Sequence, residues 1–382
     1  MSVSPVTASN DLITYNVLVN GSAIDSTYNV NSIVIEAFVN KIPVCEIELL
    51  DGSPDAEDFP ISDSGSFVPG NSIEIQIGYE NNNQTIFSGI IVKHSIRINQ
   101  EGGPLLVVTC KDKSVKMTKV RKNAYFVNKK DSDIISSVIG NYGLSADVSA
   151  TSVTEKEVIQ YYATDWDFIL SRADINGLIA IAGNGKVIVK DPDSLTSTPL
   201  VLTYGIDVLG FDGEIDAEDQ FSSIKSSAWD MKGQSMVTQS ATPGNFNAGN
   251  LSTSTLASTL GVSPFELQSA GFIESGMLQS WAKAKATKTK YSKMKGTVRF
   301  QGSALAVPGS LVQLKGVGNR FSGSGFVSGV RHEVVDGNWI TTAYLGLTAD
   351  WFTSEVKVEA PLTSGLLPGT QGLQIGVVKQ IN

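Results

Sequence analysis

Val68-Pro69-Gly70-Asn71-Ser72-Ile73-Glu74-Ile75 returns, imperfectly copied, as Val307-Pro308-Gly309-Ser310-Leu311-Val312-Gln313-Leu314. The first copy continues through Phe87-Ser88-Gly89 to Val92-Lys93-His94, the second through Phe321-Ser322-Gly323 to Val330-Arg331-His332. His94 and His332 are the only histidines, and they stand at nearly the same distance from the two Pro-Gly turns. Each turn opens a run with apolar residues at alternate positions, the period of a half-buried strand. A fold duplicated inside one chain presents similar surfaces twice, which points to assembly geometry before chemistry.

Outward from the first copy the period stays at two, from about residue 13 to 116. Ile73, Ile75 and Ile77 alternate with Glu74 and Gln76. Ile90, Val92, His94, Ile96 and Ile98 are expected on one face of the next strand, with Lys93, Ser95 and Arg97 opposite. Gly102-Gly103-Pro104 then turns the chain into a strand from Leu105 to Cys110, so the block reads as an antiparallel barrel or sandwich. In the second copy, residues 339–347 take the place of that last strand.

Between the copies, from about 125 to 204, the pattern is mixed. Asp131 or Ser132 is expected to cap a helix with Ile134, Ile135, Val138, Ile139 and Tyr142 in one stripe. Thr164 caps a second, with Asp165 and Asp167 in its first turn, where the helix dipole favours acids, and Gly177 at its end. A hairpin turning at Gly183-Asn184-Gly185 follows. Within the second copy, the Ser/Thr/Asn-rich residues 240–258 are expected to be an exposed or disordered loop. Ser263-Pro264-Phe265-Glu266 has the signature of a helix start, and a longer helix is expected over about 277–294. The predicted organisation is a first β-barrel (1–118), an α/β insertion (119–208), and a second β-barrel (209–355) with a helical insertion near 260–295. Residues 356–382 read as a linker and the first strand of a further β domain.

The chain of 382 residues has 41% hydrophobic and 18% charged residues, enough apolar content for more than one core. A net charge of -9 argues against nucleic acid and anionic membrane surfaces as partners. Met1-Ser2-Val3-Ser4-Pro5-Val6-Thr7 has no charged and apolar regions of a signal peptide, and no stretch has the length of a membrane span. The expected location is therefore cytoplasmic unless a signal-free apparatus exports the chain. Cys45 and Cys110 fall at apolar strand positions and read as buried free thiols.

Chemistry is sparse. No HExxH, CxxC, GxSxG or P-loop pattern occurs. The acidic clusters Asp51, Asp55, Glu57, Asp58, Asp63 and Asp212, Glu214, Asp216, Glu218, Asp219 lack the spacing of a calcium loop. No catalytic, cofactor-binding or metal-ligating residue is assigned, and both histidines read as strand residues bonded locally. A hydrolase site around Asp165, Asp167 and Arg172 is one alternative; a secreted carbohydrate-binding β-protein is another. Lys283, Lys285, Lys288 and Lys290 spread around one helix. With Asp212, Glu214 and Asp216 they are the candidate partner contacts.

The order of barrel, α/β insertion, second barrel and opening β strand resembles the hub part of contractile injection system spikes: VgrG-like proteins of type VI secretion, related extracellular particles and phage baseplate hubs. Gln160-Tyr161-Tyr162-Ala163-Thr164-Asp165-Trp166-Asp167-Phe168-Ile169 is similar to that family's helix start. Phe67-Val68-Pro69-Gly70 and Phe87-Ser88-Gly89-Ile90-Ile91 are similar to its first barrel, and Gly372-Leu373-Gln374-Ile375-Gly376-Val377-Val378 to the first strand of its OB-fold. The resemblance implies a mainly β fold: two similar tube-like antiparallel β-barrels, a small α/β domain between them, and the start of an OB-fold. It implies a non-enzymatic homotrimer that adapts a threefold needle to a sixfold tube. The implied partners are a hexameric inner-tube protein, baseplate proteins and a needle tip or effector cargo. Nucleic acid is not among them, and no stable membrane insertion precedes firing. The implied route is cytoplasmic assembly and delivery with the particle.

Overall fold

The computed structural model describes residue 5 and residues 12–99, 103–195 and 199–356. The linker and strand expected over 356–382 fall, but for residue 356, outside these residues. The first copy comprises β1 (Ile13–Val19), β2 (Ser22–Ala23), β3 (Val30–Phe38), β4 (Val44–Leu50), β5 (Ser72–Tyr79), β6 (Asn82–Asn99) and β7 (Gly103–Lys111). Then come β8 (Arg121–Lys130), α1 (Asp131–Gly140), β9 (Ser145–Val148), β10 (Thr154–Thr164), α2 (Asp165–Ile175), β11 (Ile179–Gly183) and β12 (Lys186–Lys190). The remainder begins with β13 (Leu200–Thr203), β14 (Val208–Ile215), β15 (Ile224–Asp230), β16 (Ser235–Ala241), α3 (Thr253–Leu260), β17 (Phe265–Ser269) and α4 (Ser275–Ser292). It ends with β18 (Met294–Gln301), β19 (Leu311–Lys315), α5 (Gly318–Phe321), β20 (Gly323–Val335), β21 (Asn338–Leu345) and α6 (Phe352–Glu355).

Among the described residues thirteen strands make one sheet in the order β14-β18-β21-β20-β3-β4-β7-β6-β5-β1-β2, with β19 on β20 and β13 on β19. Inside it the duplication is explicit. Strands β3-β4-β7-β6-β5 and β14-β18-β21-β20-β19 share one spatial order, one chain order and antiparallel pairing throughout.

The two Pro-Gly turns carry the same hydrogen bonds. Gly70 N donates to Ile91 O, Ile91 N to Asn71 O and Asn71 N to Val68 O. Gly309 N donates to Val327 O, Val327 N to Ser310 O and Ser310 N to Val307 O. Bulges also coincide: β6 slips against β7 between Ile91 and Lys93, and β20 against β21 between Val327 and Gly329. A second pair of slips lies between Val30 and Ser32 on β3 and between Val208 and Gly210 on β14. An unpaired extra residue is a built feature of a strand, and two recurring in register mark one fold used twice.

This register corrects the histidine match. Since Ile91 corresponds to Val327, His94 corresponds to Val330, and His332 to Ile96. Likewise Ser88-Gly89 corresponds to Ser324-Gly325, not to Ser322-Gly323. The expected apolar face of β6 is corrected too: the bulge lets Phe87 and Ile91 enter the core, while Val92, Ile96 and Ile98 are exposed.

Each half closes over its own core. Ile33, Ile35, Cys45, Ile47, Ile75, Leu106, Val108 and Cys110 fill the first; Val298, Phe300, Val312, Leu314, Val327 and Leu345 fill the second. Cys45 and Cys110 face each other in register as free, buried thiols. Burial raises both thiol pKa values, that of Cys110 to about 12.

In the insertion, α1 and α2 pack through Ile134, Ile135, Trp166, Ile169 and Ala173 over the β11–β12 hairpin. Thr164 Oγ1 accepts from Asp167 N at 3.1 Å, as the sequence predicts. Neither Asp131 nor Ser132 caps α1; Lys130 holds that position without a side-chain bond. Asp131 instead accepts from Arg172 at 2.6 and 2.9 Å and from Asn176 at 2.7 Å, tying the two helices together.

Two expectations in the second copy give way to tertiary pairing. Phe265–Ser269 is a strand parallel to β15, not a helix, because its alternating Phe265 and Leu267 complete a three-stranded sheet packed on α4. The Ser/Thr/Asn-rich stretch includes the exposed loop expected, but its residues 247–249 are fixed beside the start of β20. Asn247 O accepts from Ser324 N at 2.7 Å, Gly249 N donates to Ser322 O at 3.1 Å, and Ala248 is fully buried. Gly249 is required there: its φ is +66°, and a Cβ would lie 1.8 Å from Arg320 O. Helix α3 follows, capped by Ser252 Oγ on Thr255 N at 3.0 Å and stopped by left-handed Gly261.

Candidate assembly interface

The two halves are joined edge to edge. Strands β20 and β3 pair antiparallel from Gly329 opposite Phe38 to Val335 opposite Ser32. Gly329 lies beneath the Phe38 ring, where a Cβ would come within 2.0 Å of a ring carbon, and Phe38 in turn packs on Tyr344 with centroids 4.9 Å apart. On the same face Arg331 donates to Glu36 at 2.7 Å and to Glu333 at 3.0 Å. On the other face Val334 and Trp339 enter the first core, while Ala37 packs against the second.

Trp339 stacks on Tyr79 at 5.5 Å, and the Tyr79 hydroxyl donates to Gly302 O at 3.0 Å. His332 sits under this seam, 3% exposed, its Nδ1 2.9 Å from Thr341 Oγ1. Burial pushes its pKa down to about 4, so the ring is neutral at pH 7. His94 is half-buried between Ser62 Oγ at 2.6 Å and Phe67 O at 3.0 Å. The histidines are local struts in different strand positions and do not converge.

Of the candidate partner contacts, the lysines are mostly used within the chain. Lys285 is buried, donates to Ala349 O at 3.0 Å and lies over the Phe221 and Phe265 rings. Lys288 pairs with Asp174 at 2.7 Å, and Lys290 with Asp193 at 2.5 Å. Lys283 alone of the four is exposed. The acids that meet Lys288 and Lys290 come from the chain's own insertion, Asp174 at the end of α2 and Asp193 after β12.

Asp212 and Glu214 are exposed on β14, and Asp216 is half-buried just beyond it. Among the described residues β14 ends the sheet, with β18 as its one strand neighbour and a single bridge from Val208 to Tyr204. In the other cluster, Asp51 is buried and accepts from Ile61 N at 3.0 Å and Ser62 N at 2.7 Å, which pins the loop after β4.

In the insertion, Asp165 and Arg172 are engaged within the chain as well. Asp165 is 3% exposed, with Lys122 and Tyr142 each 2.6 Å from one oxygen and Gln160 2.8 Å from the other. Burial pulls its pKa up, but these hydrogen bonds outweigh burial and hold it below the usual value. Asp167 lies in the first turn of α2, and Arg172 is engaged by Asp131. Among the described residues no group of three or more His, Cys, Asp or Glu is placed to hold a metal ion.

Residues 9–336 match the Alg8 N-terminal domain. The chain belongs to the Alg8 N-terminal domain family. No curated protein matches the sequence. Among solved structures, this family member is similar to the 43 kDa tail protein of prophage MuSo2 from Shewanella oneidensis, with a TM-score of 0.65 at 11% identity over 88% of this chain and 98% of that one. The tail protein of Neisseria meningitidis MC58 gives a TM-score of 0.63 at 15% identity over 89% and 98%. The E. coli c3393 protein, a type VI secretion component described as similar to the T4 tail proteins gp27 and gp5, gives 0.56 at 11% over 86% and 76%. At these identities the likeness is one of fold: this chain has a mainly β fold similar to that of the two tail proteins and the type VI secretion component.

Proposed function

We propose that the chain is a structural hub of a contractile injection system or phage-like tail, adapting a threefold needle to a sixfold tube. One observation carries the reading: five strands, two bulges and a Pro-Gly turn recur in register within one chain. Three such chains present six similar barrels in a ring, and a closed ring is the usual outcome of repeated head-to-tail contacts. Such a ring matches a hexameric tube on one side while its three chains carry a trimeric needle on the other. The fold likeness to tail proteins and a type VI secretion component supports this reading, as does the structural use of Asp165 and Arg172 in the insertion. Its partners are then a hexameric tube protein, baseplate components and a needle or its cargo, and its role needs no catalysis.

Negative-stain imaging of the purified chain tests the proposal. The expected class averages show a ring of six lobes with threefold modulation; isolated two-lobed particles at every concentration would rule it out.

A further inference from the structure

The seam between β20 and β3 specifies a second seam. In the pairing register, β20 corresponds to β6 and β3 to β14. Past Ile90, β6 pairs only with β7 among the described residues, leaving open the edge that β20 gives to β3. Among the described residues, past Val208 β14 pairs only with β18, leaving open the edge that β3 gives to β20. The described residues thus hold one closed seam and two unmated edges that match the halves of another.

We infer that β6 of one copy pairs antiparallel with β14 of a second copy in the register of the β20–β3 seam. Arg331 opposite Glu36 becomes Ser95 opposite Glu214; Glu333 opposite Val34 becomes Arg97 opposite Asp212; Gly329 opposite Phe38 becomes Lys93 opposite Asp216. The charges that this transfer brings together are complementary. Lys93, Ser95 and Arg97 share one face of β6, and Asp212, Glu214 and Asp216 follow the corresponding face of β14. Opposite charges directly across antiparallel strands stabilise the pairing, and a one-residue slip would turn each set to the wrong face. Among the described residues none of Lys93, Asp212, Glu214 and Asp216 has an ion-pair partner within the chain, and Arg97 has Glu48 alone.

Apolar surface agrees with this. Ile98 is 72% exposed and falls opposite Phe211. Phe211 lines a cleft of about 530 Å³ with Tyr204, Leu209, Val317 and Phe321 beside the β14 edge. Leu209 is itself 64% exposed. An edge strand with isoleucines at its end and a cleft beside its proposed mate is a poorly protected edge, unless another chain covers both. The occupant is a second copy because the template for the contact is a seam already formed within the chain.

This seam rests on the hub reading, and the test separates the two. Paired cysteines are introduced as Arg97→Cys and Asp212→Cys, and as a slipped control Arg97→Cys and Glu214→Cys, in the full chain. Mass is measured before oxidation. Antiparallel partners lie about 4.5–5.5 Å apart at Cα, within disulfide reach, and residues two positions off do not. The expected result is a three-copy mass, with covalent trimers from the first pair and at least tenfold fewer from the control. Trimers that crosslink equally in both pairs, or in neither, overturn the inferred register and leave the hub reading standing. A monomer at all concentrations overturns both. Charge reversal is the second arm. Asp212→Lys with Asp216→Lys dissociates the assembly, and adding Lys93→Asp with Arg97→Asp restores it; failure of rescue with all variants folded contradicts the charge pairing.

Discussion

Arg331 and Glu36, far apart in sequence, meet at 2.7 Å across the strand seam that joins the two barrels. Both side chains are more than a third exposed, so solvent screens the pair. A double-mutant cycle with Arg331→Ala and Glu36→Ala, followed by urea unfolding, is expected to give a coupling of about 0.2–1 kcal/mol. Its role is to set register, so Glu36→Lys should cost more than Glu36→Ala.

Gly329 has no room for a side chain under Phe38. Gly329→Val is expected to destabilise the chain by about 1–3 kcal/mol through overpacking, with partial rescue by Phe38→Leu. Gly65→Ala, where a Cβ meets nothing within 4 Å, should stay within about 0.5 kcal/mol.

His332 makes stability depend on pH in a definite direction. Its folded pKa, near 4, lies below its ordinary 6.5, so between these values the unfolded chain binds the extra proton. Stability from the neutral ring is fully present above pH 6.5 and is lost as pH falls towards 4, by about 3 kcal/mol in all. The difference in urea midpoint between the parent and His332→Phe should be constant above pH 6.5, and the parent should fall relative to the variant as pH drops from 6.5 towards 4. Parallel curves would mean that the ring is not buried as described.

Asp165→Ala should destabilise the insertion by about 1–3 kcal/mol, because buried Gln160 and the Tyr142 hydroxyl lose their acceptor. Asp165→Asn should recover part of that loss. Thermal unfolding followed by tryptophan fluorescence reads it, since Trp166 lies beside the site in the insertion core.

Cys45 and Cys110 are fully buried with raised pKa values, so neither thiol presents a thiolate to solvent. A maleimide should label the native chain below one site in ten over an hour and both sites fully in denaturant. Their silence is what makes introduced cysteines readable.

The Pro-Gly turns and the alternating Ile73, Ile75, Ile77 made the duplicated β fold legible in sequence, and Thr164 with Gly177 bracketed α2 correctly. The fine register was not legible. A two-residue slip in a strand keeps every side chain on its own face, so Phe321-Ser322-Gly323 could stand in for Gly323-Ser324-Gly325, and His332 for Val330, without disturbing the pattern. Bulges at Val92 and Ser328 shift the face without leaving a compositional mark. At Ser263 the local helix signal was real, but pairing of Phe265 and Leu267 with β15 overrode it. The lysine run looked free because its acids, Asp174 and Asp193, come from the insertion about a hundred residues earlier. Of the candidate contacts, Asp212, Glu214 and Asp216 lie at an open edge, and their basic counterparts on β6 could be matched to them only through the paired register.

The central claim is that two barrels per chain exist to make six from three. Native mass spectrometry of the intact chain over a concentration series tests it most directly. The account predicts a dominant species of three copies of the 40.6 kDa chain, with two-copy species only as minor intermediates. A single-copy species persisting to the highest concentration, or a closed assembly of two or four copies, would contradict it.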